Sequence, residues 1–331
     1  MLLNIKGIKY NTNESEMTAE VVRLDDEFAT HFEVEEKMEY GGKEYTITRI
    51  RLTTLCLCTD ITTVFIPKTI TKIDNGTFAD CGNIKSISVD PANPVYDSRN
   101  NCNAIIETAT DTLIAGCGTT VIPDTVKEIG QGAFSSCLSL TDISLPESIV
   151  SIGTEAFARC LYLTDIFLPD SVTDIGNKAF DCCARLQKII IPDHVVRVGD
   201  GAFADCKLLK SVMICDSVTH IGNTAFFMCE SLRSVFLSES VRYIEHNTFA
   251  YCSNLSEITI PQTVNGIGDK AFGYCTKLTS ITLQHTTPEE MSVHKNAFHH
   301  VDTEACTLHV PVGCVEKYRS HCVFGKFKNI I

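Results

Sequence analysis

Leu145-Pro146-Glu147-Ser148-Ile149-Val150-Ser151-Ile152-Gly153-Thr154-Glu155-Ala156-Phe157-Ala158-Arg159-Cys160-Leu161-Tyr162-Leu163-Thr164-Asp165-Ile166-Phe167 is one copy of a 23-residue unit, and the next copy begins at Leu168. The same interval separates Cys137, Cys160, Cys183, Cys206, Cys229, Cys252 and Cys275. It also separates Phe134, Phe157, Phe180, Phe203, Phe226, Phe249 and Phe272, and the leucines from Leu140 to Leu278. A fixed short period of this kind is the signature of a solenoid, in which each copy is one coil. Across the junction of the two copies, Leu163, Ile166 and Leu168 point inward on a short strand. Proline closes that strand. The Ile152-Gly153 pair fits a tight bend in which glycine takes backbone angles other residues avoid, and Ala156-Phe157 to Cys160 suits one helical turn. One coil cannot bury its own apolar face, so stacking on neighbours supplies the core.

Outward from this run, Ile50, Leu55, Cys58, Ile61, Val64 and Ile66 lie 23 residues before Ile73, Phe78, Cys81, Ile84, Ile87 and Val89, a degenerate first coil. Between Val89 and Ile122 the interval is ten residues longer, and Ala104 to Ile114 reads as two strands around a turn, a small protruding hairpin. After Leu283 the register breaks; Leu308-His309-Val310-Pro311 and Val315 to Tyr318 read as a closing strand and helical turn. The expected fold is α/β: a right-handed leucine-rich-repeat solenoid of 23-residue coils, mainly short parallel strands with one helical turn per coil. Its divisions are an N-terminal cap over 1–43, repeats over 44–283 with the irregular long repeat at 89–121, and a C-terminal cap over 284–331.

The pattern L-x-x-I-x-L-P-x-x-V-x-x-I-G-x-x-A-F-x-x-C resembles the BspA-like, or treponemal, class of bacterial leucine-rich repeats over nearly the whole chain. The irregular stretch from Asn93 to Glu107 and the ending Leu308-His309-Val310-Pro311 before Phe327-Lys328-Asn329-Ile330 share in the resemblance. Cys215 and Ser238 stand where the pattern has its strand-ending proline. The resemblance implies a surface or secreted interaction module of a host-associated bacterium, with a host extracellular or surface protein as partner and no catalytic residues.

Composition narrows the function classes. The 28 Lys and Arg stand against 41 Asp and Glu, a net charge of −13, which supplies no cationic surface for a phosphate backbone and excludes nucleic acid as the expected partner. No apolar run approaches the roughly 20 residues that span a bilayer, and Met1-Leu2-Leu3 does not read as a signal peptide, so a cytoplasmic address stays open beside the surface one. The 17 cysteines are mostly one per coil. Stacked side chains in register sit too far apart at Cβ for a disulfide, so the ladder is expected to be reduced and buried. One thiol per coil also fails to supply the paired ligands of a zinc site, and Cys56/Cys58 and Cys182/Cys183 are too close to form one. His294, His299, His300, Cys306 and His309 match no ligand spacing, so no metal and no cofactor is expected. Cys102, Cys117, Cys306, Cys314 and Cys322 are left open between thiol and disulfide.

Phosphate loops, nucleophile elbows and H-E-x-x-H are absent, and the chain is expected not to be an enzyme. The informative column is the solvent-facing one between the two inward residues near each strand's end: Phe65, Ser88, Val121, Ser144, Phe167, Ile190, Met213, Phe236, Thr259, Thr282. Four successive large apolar residues, Phe167, Ile190, Met213 and Phe236, form a stripe expected to bind a protein on the concave face, with Lys188, Lys210 and Arg233 as a basic rim. Two other readings are an intracellular scaffold or inhibitor, consistent with many free thiols, and a polysaccharide-active β-helix enzyme, which would instead cluster Asp, Lys and Arg on one strand column. Tyr251 and Tyr274, equivalent in adjacent coils, are expected to cover apolar surface.

Overall fold

The computed structural model describes the whole chain except residues 1, 6, 26–28, 53, 56 and 57, so Cys56 lies outside the described residues. The chain divides into two compact units, Met1–Leu161 and Tyr162–Ile331.

The first unit opens with an antiparallel meander of Leu2–Ile5, Ile8–Asn13 and Thr18–Leu24. Lys37–Tyr40 and Lys43–Ile50 form a hairpin across Gly41 and Gly42, whose positive φ values (60° and 72°) give the primed turn that matches strand twist. Lys43–Ile50 then pairs in parallel with Lys72–Ile73, while His31–Glu33 pairs in parallel with Thr63–Ile66. The N-terminal segment therefore supplies the first rung of both strand columns. The long repeat forms the antiparallel strands Tyr96–Asp97, Ile105–Glu107 and Thr112–Ala115. This hairpin does not protrude. Ile105, Ile106 and Leu113 are fully buried, and Thr112–Ala115 continues in parallel into Glu128–Ile129 and Ser151–Ile152.

In the second unit one column carries the longer strands Lys188–Ile191, Ser211–Ile214 and Ser234–Phe236, and then Glu257–Ile260, Ser280–Leu283 and Thr307–His309, all parallel. A second column carries two-residue strands such as Asp174–Ile175, Arg197–Val198 and His220–Ile221. The six-residue helix Val315–Ser320 closes the chain's end, with Tyr318 buried and its hydroxyl donating to the His285 carbonyl at 2.7 Å.

The third side of each coil is not helical. From Ala179 to Cys183 every other amide closes an i→i+3 turn, as in Cys183 N–H to Phe180 O at 3.2 Å. The amides between them reach the next coil: Lys178, Phe180 and Cys182 donate to the carbonyls of Asp200, Ala202 and Ala204 at 2.8 Å each. That alternation requires left-handed backbone at the first and last donors, and Lys178 (φ 53°), Cys182 (φ 59°), Asp205 (φ 56°) and Met228 (φ 57°) provide it. Each coil is thus joined to the next by hydrogen bonds on a side where a helix would have kept them internal. The cost of left-handed non-glycine residues is offset by these bonds.

The Ile-Gly glycines serve a different purpose from the one expected. Gly153, Gly199, Gly222 and Gly268 are not in the left-handed region; a Cβ on Gly199 would lie 2.5 Å from the Gly176 carbonyl carbon. Close approach of the two backbones excludes any side chain there. Gly199→Ala is therefore expected to force the coils apart and cost about 1–3 kcal/mol, in the range of core overpacking. A drop in denaturation midpoint with unchanged slope would show it; an unshifted midpoint would mean the stack has slack at this position.

Two side-chain ladders run through the core beside columns of buried Ile, Leu and Val. Phe180, Phe203, Phe226, Phe249, Phe272 and Phe298 stack at centroid distances of 5.2, 5.5, 5.5, 5.6 and 5.5 Å with near-parallel rings, an offset stack. Beside them Cys206, Cys229, Cys252 and Cys275 are buried thiols. Their regularity has a chemical reason beyond size: Cys206, Cys229 and Cys252 each donate to the carbonyl of the phenylalanine one coil back, at 3.2 Å to Phe180, Phe203 and Phe226. A small side chain with a weak donor satisfies that buried acceptor.

Candidate functional site

The strand pleat decides which side chains leave the core. In Lys188–Ile191, Ile189 and Ile191 are buried and Ile190 faces out; Ser211–Ile214 and Ser234–Phe236 repeat the alternation. Parallel pairing then aligns Ile190 with Met213 and Met213 with Phe236. Phe167, one period earlier, shares their outward orientation. The relative exposures of Phe167, Ile190, Met213 and Phe236 are 66%, 37%, 50% and 66%, high values for large apolar residues on consecutive rungs. Rungs about 4.8 Å apart place these four side chains within van der Waals reach of one another in sequence, a continuous strip.

The basic residues lie at the start of the same strands. Lys188, Lys210 and Arg233 are exposed, and among the described residues none forms an ion pair; Lys210 Nζ donates to Gln187 Oε1 at 3.2 Å. At the Phe236 end the hydrogen-bonded ladder stops, since Ser234–Phe236 and Glu257–Ile260 belong to separate sheets. A groove of about 320 Å³ opens there, lined by Phe236, Leu237, Glu239, Glu257, Pro261 and Thr282.

The remaining candidates are engaged locally. His294 Nδ1 lies 2.9 Å from Asp269 Oδ1, and His299 and His300 pack edge to face at 4.2 Å. Tyr251 and Tyr274 stack face to face at 4.3 Å, and His300 lies on Tyr274 at 4.5 Å, so the rings cover one another. Cys102, Cys117, Cys306, Cys314 and Cys322 are all free thiols. The burial of Cys306 pushes its thiol up to about 12. One grouping escaped sequence reasoning: Asp181, Cys182 and Asp205 bring ligand atoms within 4.8 Å of one another, Asp205 sitting one coil on from Cys182. The 23-residue offset between Cys182 and Asp205 was the available signal. Exposed acids at this spacing are common without an ion.

Comparison with known proteins agrees with this architecture. Residues 36–104, 116–208 and 173–305 match the BspA type leucine rich repeat region, in six copies. A leucine-rich repeat protein from Bacteroides ovatus superposes with a TM-score of 0.53 at 21% identity, covering 99% of this chain and 99% of that one. Another from Eubacterium ventriosum gives 0.58 at 22% identity, covering 77% of this chain and 62% of that one. No curated protein matches. With the repeat matched over most of its length and the coils observed, the chain belongs to the BspA-type leucine-rich-repeat family.

Proposed function

We propose that this chain is a non-enzymatic protein-binding and adhesion module. It docks a macromolecular partner, a host extracellular or surface protein, on the strand face through Phe167, Ile190, Met213 and Phe236, with Lys188, Lys210 and Arg233 steering an acidic patch of the partner. The supporting observation is the exposure of four large apolar side chains on consecutive rungs, where the neighbouring Thr259 and Thr282 are polar. A contiguous apolar strip with a charged rim has the anatomy of an interface. Unpaired cations at its edge add to association rate on an otherwise acidic molecule.

The test is a pull-down from host extracellular proteins with wild type and a Phe167→Ser, Met213→Ser, Phe236→Ser variant. Exposed substitutions shift stability by only about 0.5 kcal/mol each, so the variant keeps its fold, checked by circular dichroism. Loss of at least about 2 kcal/mol of affinity is expected for removing buried aromatic anchors. Equal capture by both proteins would move the site off this strip.

A further inference from the structure

Strand Ser86–Val89 has a strand neighbour on one side only. It pairs in parallel with Thr63–Ile66, and its three-stranded sheet ends there. Ser86 N–H donates to Thr62 O at 3.1 Å and Asp90 N–H to Ile66 O at 2.8 Å, so residues 86, 88 and 90 turn their main-chain groups toward the earlier coil. Alternation turns those of Ile87 and Val89 the other way. The rung that should meet them is missing because the long repeat diverts the chain: Val121 N–H bonds to Cys102 O at 3.1 Å, and 119–122 contains no strand.

One exposed group is answered by a side chain. Asn103 Oδ1 accepts Ile87 N–H at 2.6 Å, while its amide donates to Lys85 O at 3.0 Å and Thr119 Oγ1 at 2.6 Å. Asn103 stands in for the first bond of a rung. Beyond it, Ile87 C=O and Val89 N–H face a groove with no hydrogen-bond partner among the described residues. The groove holds about 640 Å³ and is bounded by Ser86, Val89 and Asp90 on the strand and by Asp97, Arg99 and Thr119 opposite. Arg99 is held by Asp97 and Asp111 at 2.8 Å each, so its charge is matched and Asp90 leaves the groove acidic.

We propose that this edge is a docking site for an extended, basic peptide segment that supplies the missing rung. One peptide residue donates its N–H to Ile87 C=O and accepts Val89 N–H on its own carbonyl, the parallel-bridge pattern by which a strand adds to a sheet edge. Lysine or arginine side chains on the same segment meet Asp90. The site is separate from the apolar strip, and neither depends on the other.

The probe is fluorescein-labelled TKVTVKT-amide, titrated by anisotropy against the full chain, with two versions N-methylated at alternate residues. Saturable binding is expected, one N-methylated version losing about tenfold or more because a main-chain donor is gone. Val89→Pro, tolerable on an edge strand but lacking the N–H, should lose a similar factor. Where that variant folds poorly, amide exchange on the unmodified chain decides: the Val89 amide should slow when the peptide is added. The serine-substituted strip variant should bind the peptide as wild type does. Absence of saturable binding, equal binding of both N-methylated versions and the parent, or peptide-independent protection of Val89 in a chain that sediments as a dimer would each overturn the proposal, the last by making a second copy the occupant.

Discussion

Raising the pH from about 8 to about 11 is expected to unfold this protein far more readily than surface charge alone would, because its thiol ladder is held protonated. Desolvation by burial, then the neighbouring thiol, pushes Cys206, Cys229 and Cys252 well above the ordinary thiol value of 9.0; burial raises Cys275 to about 12. Below pH 9 both folded and unfolded chains keep these protons, and the stabilisation is complete. Above it the unfolded chain releases them while the folded chain does not, so stability falls until the folded value is reached. Each such thiol removes about 1.4 kcal/mol per pH unit in that window, and several act together. Urea midpoints measured across the range should fall steeply, and Cys229→Ala should make the slope shallower by about one proton. A flat profile would show that the ladder ionises within the fold.

The second large effect is expected from Phe226→Ala. Phe226 is fully buried and stacked on Phe203 and Phe249 at 5.5 Å on both sides. Removing a buried ring costs about 3–5 kcal/mol, and the surrounding rungs cannot collapse inward because their spacing is fixed by hydrogen bonds between coils. Phe226→Leu keeps most of the volume and should lose less than half as much. Denaturant midpoints of the two variants give the comparison; a small loss in the alanine variant would mean the ladder closes over the gap.

The period, the inward columns and the reduced cysteines were legible in the sequence because each is a repeating pattern of residue type. The turn side was not. Lys178, Cys182, Asp205 and Met228 share no residue type, since what they share is a left-handed backbone demanded by bonds to the next coil. Ile-Gly suggested torsional freedom, whereas the reason for glycine is the neighbouring backbone, 2.5 Å from where a Cβ on Gly199 would sit. The hairpin of the long repeat was legible, but not that Leu113 would be buried as part of a continuing strand column. For the apolar strip, period-two alternation gave the outward orientation directly. The open edge at Ser86–Val89 was invisible, because a missing partner strand leaves no mark on the strand that lacks it.

The bonds joining successive coils of the second unit run from a residue to the carbonyl 22 places on: Phe180 to Ala202, Phe203 to Ala225, Phe226 to Thr248, Phe249 to Ala271. Donor and acceptor are main-chain atoms, indifferent to which coil supplies them. Excising or duplicating any complete 23-residue block within this run would present the same donors to the same acceptors. In their main-chain bonds the coils are interchangeable parts, so lineages can lengthen or shorten the array by recombination between copies without redesigning those bonds, and the outward column is left free to diverge.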